Sequence, residues 1–296
     1  MGIFSGIITA LVTPFAQNKI DFASLAKLLL YQIEAKIGGV VVGGSTGEGM
    51  LLSTDEYVSL LKFVIQFVDG KVNVFSTCTA LTTNHSVLLA KIAQDLGVSG
   101  VMCSPAPYIK PSQAGIIEHF KCIHDEVAIP IIVYSVPQRT VVDFTDESIV
   151  QIISMPRVAA VKDAGSDIQR ILRISQLLPN RVQFLCGNDQ DFLAFSANGG
   201  SGCISVASNV APKIMIAIYD MVIKQQYANA LELHREMTCI YKAMCVENNP
   251  TAVKYILSLM GLCNADTRPP LTQLSESNKD WIKKVIHNSK QNLHIE

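Results

Sequence analysis

Short runs of β-branched and aliphatic residues alternate along the chain with longer stretches whose apolar positions recur every three or four residues. The short runs lie at 6–11, 39–42, 72–77, 100–103, 130–134, 158–162, 182–186 and 202–206. Several are apolar almost throughout, as strands covered on both faces are. The stretches between them carry helix start signals. Ser53-Thr54-Asp55-Glu56 reads as a capping box opening a helix that runs to about Asp69. Thr145-Asp146-Glu147 opens another, and Pro111-Ser112-Gln113 precedes a helix through His119 and Glu126.

Eight strand–helix units joined by short links predict a parallel sheet, and eight strands close a barrel. The expected fold is therefore α/β, a (β/α)₈ TIM barrel over residues 1–224. A C-terminal helical extension follows over 225–296. After the last strand only helical patterns remain, at 212–224, 227–244, 250–260 and 275–287, with Pro269-Pro270 marking a break before the last. A doubly wound open sheet is the competing fold. It usually has fewer strands before a second domain begins.

Composition agrees with a large core. Of 296 residues, 49% are hydrophobic and 17% charged, and the mean hydropathy is +0.31. The net charge of −1 is spread without a run of one sign, which argues against a nucleic-acid groove or an anionic membrane surface. No apolar run is long enough to span a bilayer. The N-terminal residues show no basic segment and no cleavage pattern, and Gly6 stands where a myristoylation signal needs Ser or Thr. The eight Cys are scattered without a C-x-x-C pair. Reduced, buried thiols in a cytoplasmic protein are expected.

In such barrels the chemistry sits at the C-terminal ends of the strands. Polar residues there are few. Lys162 ends the apolar run Val158-Ala159-Ala160-Val161. Desolvation favours a neutral amine, which is the nucleophile an imine needs. The bland alternative is a lysine snorkelling to solvent beside Asp163. Tyr134 ends the fifth run and has a phenol able to relay protons, or one that only fills the barrel mouth. Arg139 follows a turn anchored by Pro137, and its fork suits a carboxylate. A solvated loop arginine is the commoner case. Gly43-Gly44-Ser45-Thr46-Gly47-Glu48-Gly49 could cradle a carboxylate with backbone N–H groups and two hydroxyls. It lacks the lysine of a P-loop and the spacing of a dinucleotide fingerprint. Tyr108 lies in the loop after the fourth run, and Gly187 follows the seventh. No metal site is expected. The six His are dispersed, and His119 and His124 do not share a helix face, so both are expected at the surface.

Together and in this order, these motifs resemble the dihydrodipicolinate synthase / N-acetylneuraminate lyase superfamily across essentially the whole chain. Gly44-Ser45-Thr46-Gly47-Glu48 is similar to its G-[ST]-T-G-E loop. Tyr134-Ser135-Val136-Pro137 followed by Val161-Lys162-Asp163 resembles its paired tyrosine and lysine signature. Tyr108-Ile109-Lys110-Pro111-Ser112-Gln113 and Gly202-Cys203-Ile204-Ser205 match as well.

The resemblance implies a class I, Schiff-base lyase without metal or organic cofactor. Lys162 would form the imine with pyruvate. Tyr134, Ser45 and Tyr108 would relay protons, and Thr46, Gly187 and Ile204 would contact substrate. Arg139 matches the arginine that holds the carboxylate of L-aspartate 4-semialdehyde, a residue that sialic-acid lyases typically lack. A homotetramer built as a dimer of dimers, with Tyr108 serving the neighbouring subunit's site, is implied too, as is a place in diaminopimelate and lysine biosynthesis. The chain departs from the pattern at Ser135, where Asn is common, at Pro107, where many members have a second Tyr, and at Asp163, where Glu is frequent.

Other readings are a pyruvate-dependent aldolase for 2-keto-3-deoxy sugar acids or 4-hydroxy-2-oxoglutarate, a nucleotide-binding oxidoreductase, and a catalytically dead regulatory relative. Arg139 argues against the first. The missing acidic partner of the Gly-rich turn argues against the second. Retention of Lys162, Tyr134 and Arg139 argues against the third. Feedback by L-lysine is expected to be weak or absent, because Thr54, Tyr57, Leu81, His85 and Pro107 occupy the positions that form the effector cleft in lysine-sensitive members.

Overall fold

The structure, a computed structural model, describes residues 2–165, 167–177 and 182–293, with side chains as far as Ser289. The eight strands are β1 (Gly6–Ala10), β2 (Gly39–Val42), β3 (Asn73–Thr77), β4 (Gly100–Cys103), β5 (Ile131–Ser135), β6 (Val158–Asp163), β7 (Gln183–Cys186) and β8 (Gly202–Ser205). They form a closed barrel in the order β1-β8-β7-β6-β5-β4-β3-β2. Every residue of β2, β4, β5 and β8 is buried, as their nearly unbroken apolar runs predict. Helices alternate with these strands, from α1 (Phe22–Glu34) after β1 to α8 (Phe192–Ala197) after β7, so the fold is the expected (β/α)₈ barrel. Met1 and the last three residues of the expected extension lie outside the described residues.

The chain divides into two compact units. In the unit formed by Met1–Gly6 and Asn73–Ile204, β3 to β8 pair in parallel. The registers set Thr77 against Met102, Cys103 against Val133, Tyr134 against Lys162, and Lys162 against Leu185. In the unit formed by Ile7–Val72 and Ser205–Glu296, β1 pairs with β2, Thr9 against Val40.

The start signals hold residue by residue. Ser53 caps α2 (Thr54–Val68) and completes the box with Glu56, a contribution of about 1 kcal/mol. Ser112 caps α4 (Gln113–Glu126) and Thr145 caps α6 (Asp146–Ile153). After β8 come α9 (Pro212–Ile223), α10 (Tyr227–Glu236), α11 (Thr238–Met244), α12 (Thr251–Leu259) and α13 (Glu276–Leu293).

Three expectations are corrected, and one element was not expected. The single helix expected at 227–244 is broken at Met237 into α10 and α11. A small antiparallel hairpin, Phe15–Ala16 with Lys19–Ile20, follows β1. Its two turn residues, Gln17 and Asn18, both have left-handed φ (52° and 62°), the geometry usually announced by Asn-Gly rather than Gln-Asn. His119 is buried, because Thr83 and Cys103 receive its ring; His124 is half-buried, since Arg157 Nε donates to its carbonyl at 2.9 Å. Five of the eight free cysteines are buried, Cys122 is half-buried, and Cys239 and Cys245 are exposed.

Candidate active site

Lys162 and Tyr134 end neighbouring strands in register. The alternation of a strand sends side chains paired in register to one face, and here the two meet: Lys162 Nζ lies 4.1 Å from the Tyr134 ring centroid. Lys162 is 5% exposed, so it does not snorkel. Nor is it paired with Asp163, which turns to the opposite face and accepts from Arg170 Nη1 at 3.4 Å and from the Gly165 N–H at 2.8 Å. Burial raises the Asp163 carboxyl above its ordinary range, against the opposing pull of the Gly165 N–H and Arg170.

Arg139 is exposed on α5 (Pro137–Thr140), the short helix Pro137 starts. The segment after it passes through Val141, held at a left-handed φ of 62°, and returns at Asp143. Ser135 Oγ donates to Asp143 Oδ1 at 2.8 Å, so the loop bearing Arg139 closes onto the end of β5. Gly187 follows β7, and its N–H donates to Asp163 O at 2.6 Å. A Cβ there would lie 2.6 Å from that of Ala164 and 2.9 Å from Asp163 O; only glycine lets the chain pass this close to the strand of Lys162. Ile204 is fully buried in β8.

Tyr108 is not gathered with Tyr134 and Lys162. Its side chain is 87% exposed, and its φ of 70° is an unusual backbone for an aromatic residue. Strain of this kind persists where the surroundings demand a particular presentation.

The Gly-rich turn is built within the other unit. Gly43 has φ +67°, and a Cβ on Gly49 would sit 1.7 Å from Gly43 O, so the turn cannot close on any other residue. The N–H groups of Glu48 and Gly49 donate to Ser45 O and Gly44 O. These two amides hold the turn itself, which narrows the anion cradle expected from the sequence. Glu48, buried and left-handed, anchors the turn from below. It accepts from Lys254 Nζ, and from the Arg268 N–H at 2.8 Å. Burial lowers the pKa of Lys254, although Glu48 opposes that shift. Thr46 is buried and Ser45 half-buried. Asn249 Nδ2 donates to Thr46 Oγ1 at 2.9 Å, which leaves the threonine's own O–H to donate, as a substrate carboxylate requires. A cavity of about 390 Å³ in this unit, between Phe15, Asn18, Asp266 and Arg268, involves none of the expected site residues.

Sequence reasoning missed Arg170, Asp143, Lys254, Arg268 and Asn249. The last three act across more than two hundred residues of sequence, and no local motif encodes such a partner. It also missed a buried thiol–imidazole pair, Cys103 Sγ to His119 Nε2 at 3.4 Å. Burial opposes charge on both groups. Contacts with Cys78 and His119 nonetheless lower the Cys103 thiol, and Cys103 raises His119. Among the described residues no group of three or more His, Cys, Asp or Glu is arranged to hold a metal, and no helix is long and apolar enough to cross a membrane.

The sequence and the fold are shared with known proteins. The Dihydrodipicolinate synthetase family matches residues 3–289. The 4-hydroxy-tetrahydrodipicolinate synthases of Rickettsia bellii (strain OSU 85-389) and Rickettsia typhi (strain ATCC VR-144 / Wilmington) are 44% and 42% identical over 284 residues, 96% of this chain and 97% of each relative. The solved 4-hydroxy-tetrahydrodipicolinate synthase from the thermoacidophilic methanotroph Methylacidiphilum fumariolicum SolV superposes with a TM-score of 0.95 at 30% identity, over 98% of this chain and 97% of that one. With matches of this extent in sequence and in fold, the chain belongs to the dihydrodipicolinate synthetase family.

Proposed function

We propose that this enzyme, a lyase, carries out the reaction for which its relatives are named, joining pyruvate to L-aspartate 4-semialdehyde in diaminopimelate and lysine biosynthesis. The observation that carries this reading is the buried Lys162 amine against the Tyr134 ring at paired strand ends. Lys162 attacks the ketone of pyruvate and releases water as the imine forms. Loss of a methyl proton gives the enamine, with the imine nitrogen as electron sink, so the chemistry itself calls for no metal. The enamine carbon adds to the aldehyde. The substrate's own amine then displaces Lys162 as the ring closes.

Within this reading Tyr134, Ser45 and Tyr108 move protons, and Thr46 donates to the carboxylate of pyruvate. Arg139 holds the carboxylate of the semialdehyde, and Gly187 and Ile204 shape the floor. Ser135 and Asp163, which depart from the family pattern, both accept from Arg170 Nη1. The exposed, strained Tyr108 suits a residue presented to a second subunit, and the family resemblance further implies a homotetramer made of two such dimers. We place the enzyme in the cytoplasm, and assign residues 1–224 to the barrel and 225–296 to the helical extension.

Borohydride reduction in the presence of pyruvate tests the chemistry. The adduct is expected on Lys162 and not on Lys254, whose amine is committed to Glu48 and to the Asp266 carbonyl. An adduct on another lysine, or none, would refute the mechanism. Consumption of aspartate semialdehyde but not N-acetylmannosamine tests the substrate.

A further inference from the structure

The same alternation that turns Tyr134 and Lys162 to one face turns Ser135 and Asp163 to the other. These two are also partners in register. There they meet Arg170, the buried first residue of α7 (Arg170–Ser175). Nη1 donates to Ser135 Oγ at 3.3 Å, Asp143 Oδ1 at 3.2 Å and Asp163 Oδ2 at 3.4 Å. Nη2 donates to Asp143 Oδ2 at 2.6 Å and to Phe144 O at 3.2 Å. One guanidinium thus joins the ends of β5 and β6 and the return of the loop that bears Arg139.

We propose that Arg170 is a positioning residue for the reaction, fixing from behind the strands how Lys162, Tyr134 and the Arg139 loop stand relative to one another. The proposal rests on the reading of those three residues given above.

Energetics favour this role over simple adhesion. Burying a guanidinium together with the Asp163 carboxylate is an expensive way to hold elements together; apolar side chains of similar volume often do as well or better. What the ion pair adds is direction, because a planar fork fixes its acceptors in angle as well as distance. The network continues outward. Arg170 Nε lies 3.8 Å from Asp146 Oδ1, and Arg173 binds Asp146 and Asp167, each at 2.6 Å. Arg170 Nε makes no hydrogen bond there, so Asp146 adds electrostatic attraction and the orientation of the guanidinium is set by the bonds from Nη1 and Nη2. A displacement of about 1 Å at a reacting group costs roughly a hundredfold in rate, so the tolerance such a device must keep is small.

Two variants test the role. Arg170→Lys keeps the charge and loses the fork. The triple variant Arg170→Met, Asp143→Asn, Asp163→Asn removes all three charges together, so no buried charge is left unpaired and folding is preserved. Both are expected to lose roughly tenfold to a hundredfold in kcat/KM. The borohydride-trapped imine on Lys162 should form more slowly and the KM for the aldehyde should rise. A merely structural role predicts a lower melting temperature with imine formation, kcat and KM unchanged per folded molecule, and that result overturns the proposal. If Arg170→Lys fails to fold, the triple variant decides. The wild-type adduct separates the two levels of inference: its absence removes the reading of Lys162 and this proposal with it, whereas an adduct that forms equally fast in wild type and variants removes the proposal alone.

Discussion

Lys162 Nζ stands 4.1 Å from the centroid of the Tyr134 ring, across two strands whose register pairs these residues directly. The ring covers the amine, while its hydroxyl is the group able to carry a proton. Tyr134→Phe keeps the cover and removes the relay. Imine trapping on Lys162 should persist in this variant while kcat falls by about two orders of magnitude, the scale of a lost general acid–base group. Steady-state rates and mass spectrometry on the same preparation check this; an unchanged kcat would remove the phenol from the relay.

Arg139 is exposed on a helix of four residues, and its loop is secured through Asp143. Arg139→Ala should therefore leave the loop in place. Losing a charge-assisted contact to a carboxylate costs roughly 1.5–3 kcal/mol, or about one to two decades in KM for the aldehyde, with little change for pyruvate. Equal effects on both substrates would assign Arg139 to pyruvate or to the loop.

Stability against acid should depend on Glu56. Arg268 donates to both of its oxygens, one at 2.7 Å, and that contact, opposed by burial and aided by the Ser53 N–H, lowers the carboxyl from 4.5 to about 2. The folded pKa lies below the unfolded one. The contribution is therefore complete above pH 4.5 and is lost as the pH falls through about 2. Glu56→Gln should melt below wild type at neutral pH, and the gap should narrow as the pH is lowered between those values. Calorimetry across that range checks it; a gap that is constant with pH would mean that the capping contact with Ser53, not the ionised pair, carries the effect.

The barrel was legible because several strands are apolar almost throughout and each cap is local: Ser53, Ser112 and Thr145 stand within three residues of the amides they receive. Lys162 and Tyr134 were legible because strand ends are where such barrels place their chemistry. The supports beneath them were not. Arg170 reads in sequence as one more charge on a helix. Its role appears only when β5, β6 and the Arg139 loop converge on it. Glu48 looked like part of a cradle, but its carboxylate faces inward to Lys254 and the Arg268 amide. His119 reads as a surface residue in sequence because its partner, Cys103, lies on a strand and not on its own helix.

L-Lysine should inhibit this enzyme weakly or not at all. In lysine-sensitive members of the family the effector binds in a cleft at the subunit interface, and its ammonium groups need carboxylate, amide or imidazole partners, since burying such a charge unpaired is costly. Leu81 stands where an asparagine commonly bonds the effector. It is an exposed apolar side chain just before α3 (Thr83–Asp95) and offers no acceptor. His85, exposed in the first turn of α3, replaces a common glutamate and removes the countercharge. Pro107 replaces an aromatic ring beside Tyr108 and has neither a flat face for the effector's chain nor a backbone N–H to donate. Inhibition requires that the effector bind one state of the enzyme more tightly than another, and these substitutions remove most of the groups from which that difference would come. Initial rates with millimolar L-lysine at subsaturating pyruvate measure it. Strong inhibition would show that backbone carbonyls or other side chains have taken over the ammonium groups. In that case Leu81→Asn and His85→Glu should tighten the inhibition little; if lysine has no effect on the native enzyme, the same pair of substitutions is the most direct route to installing it.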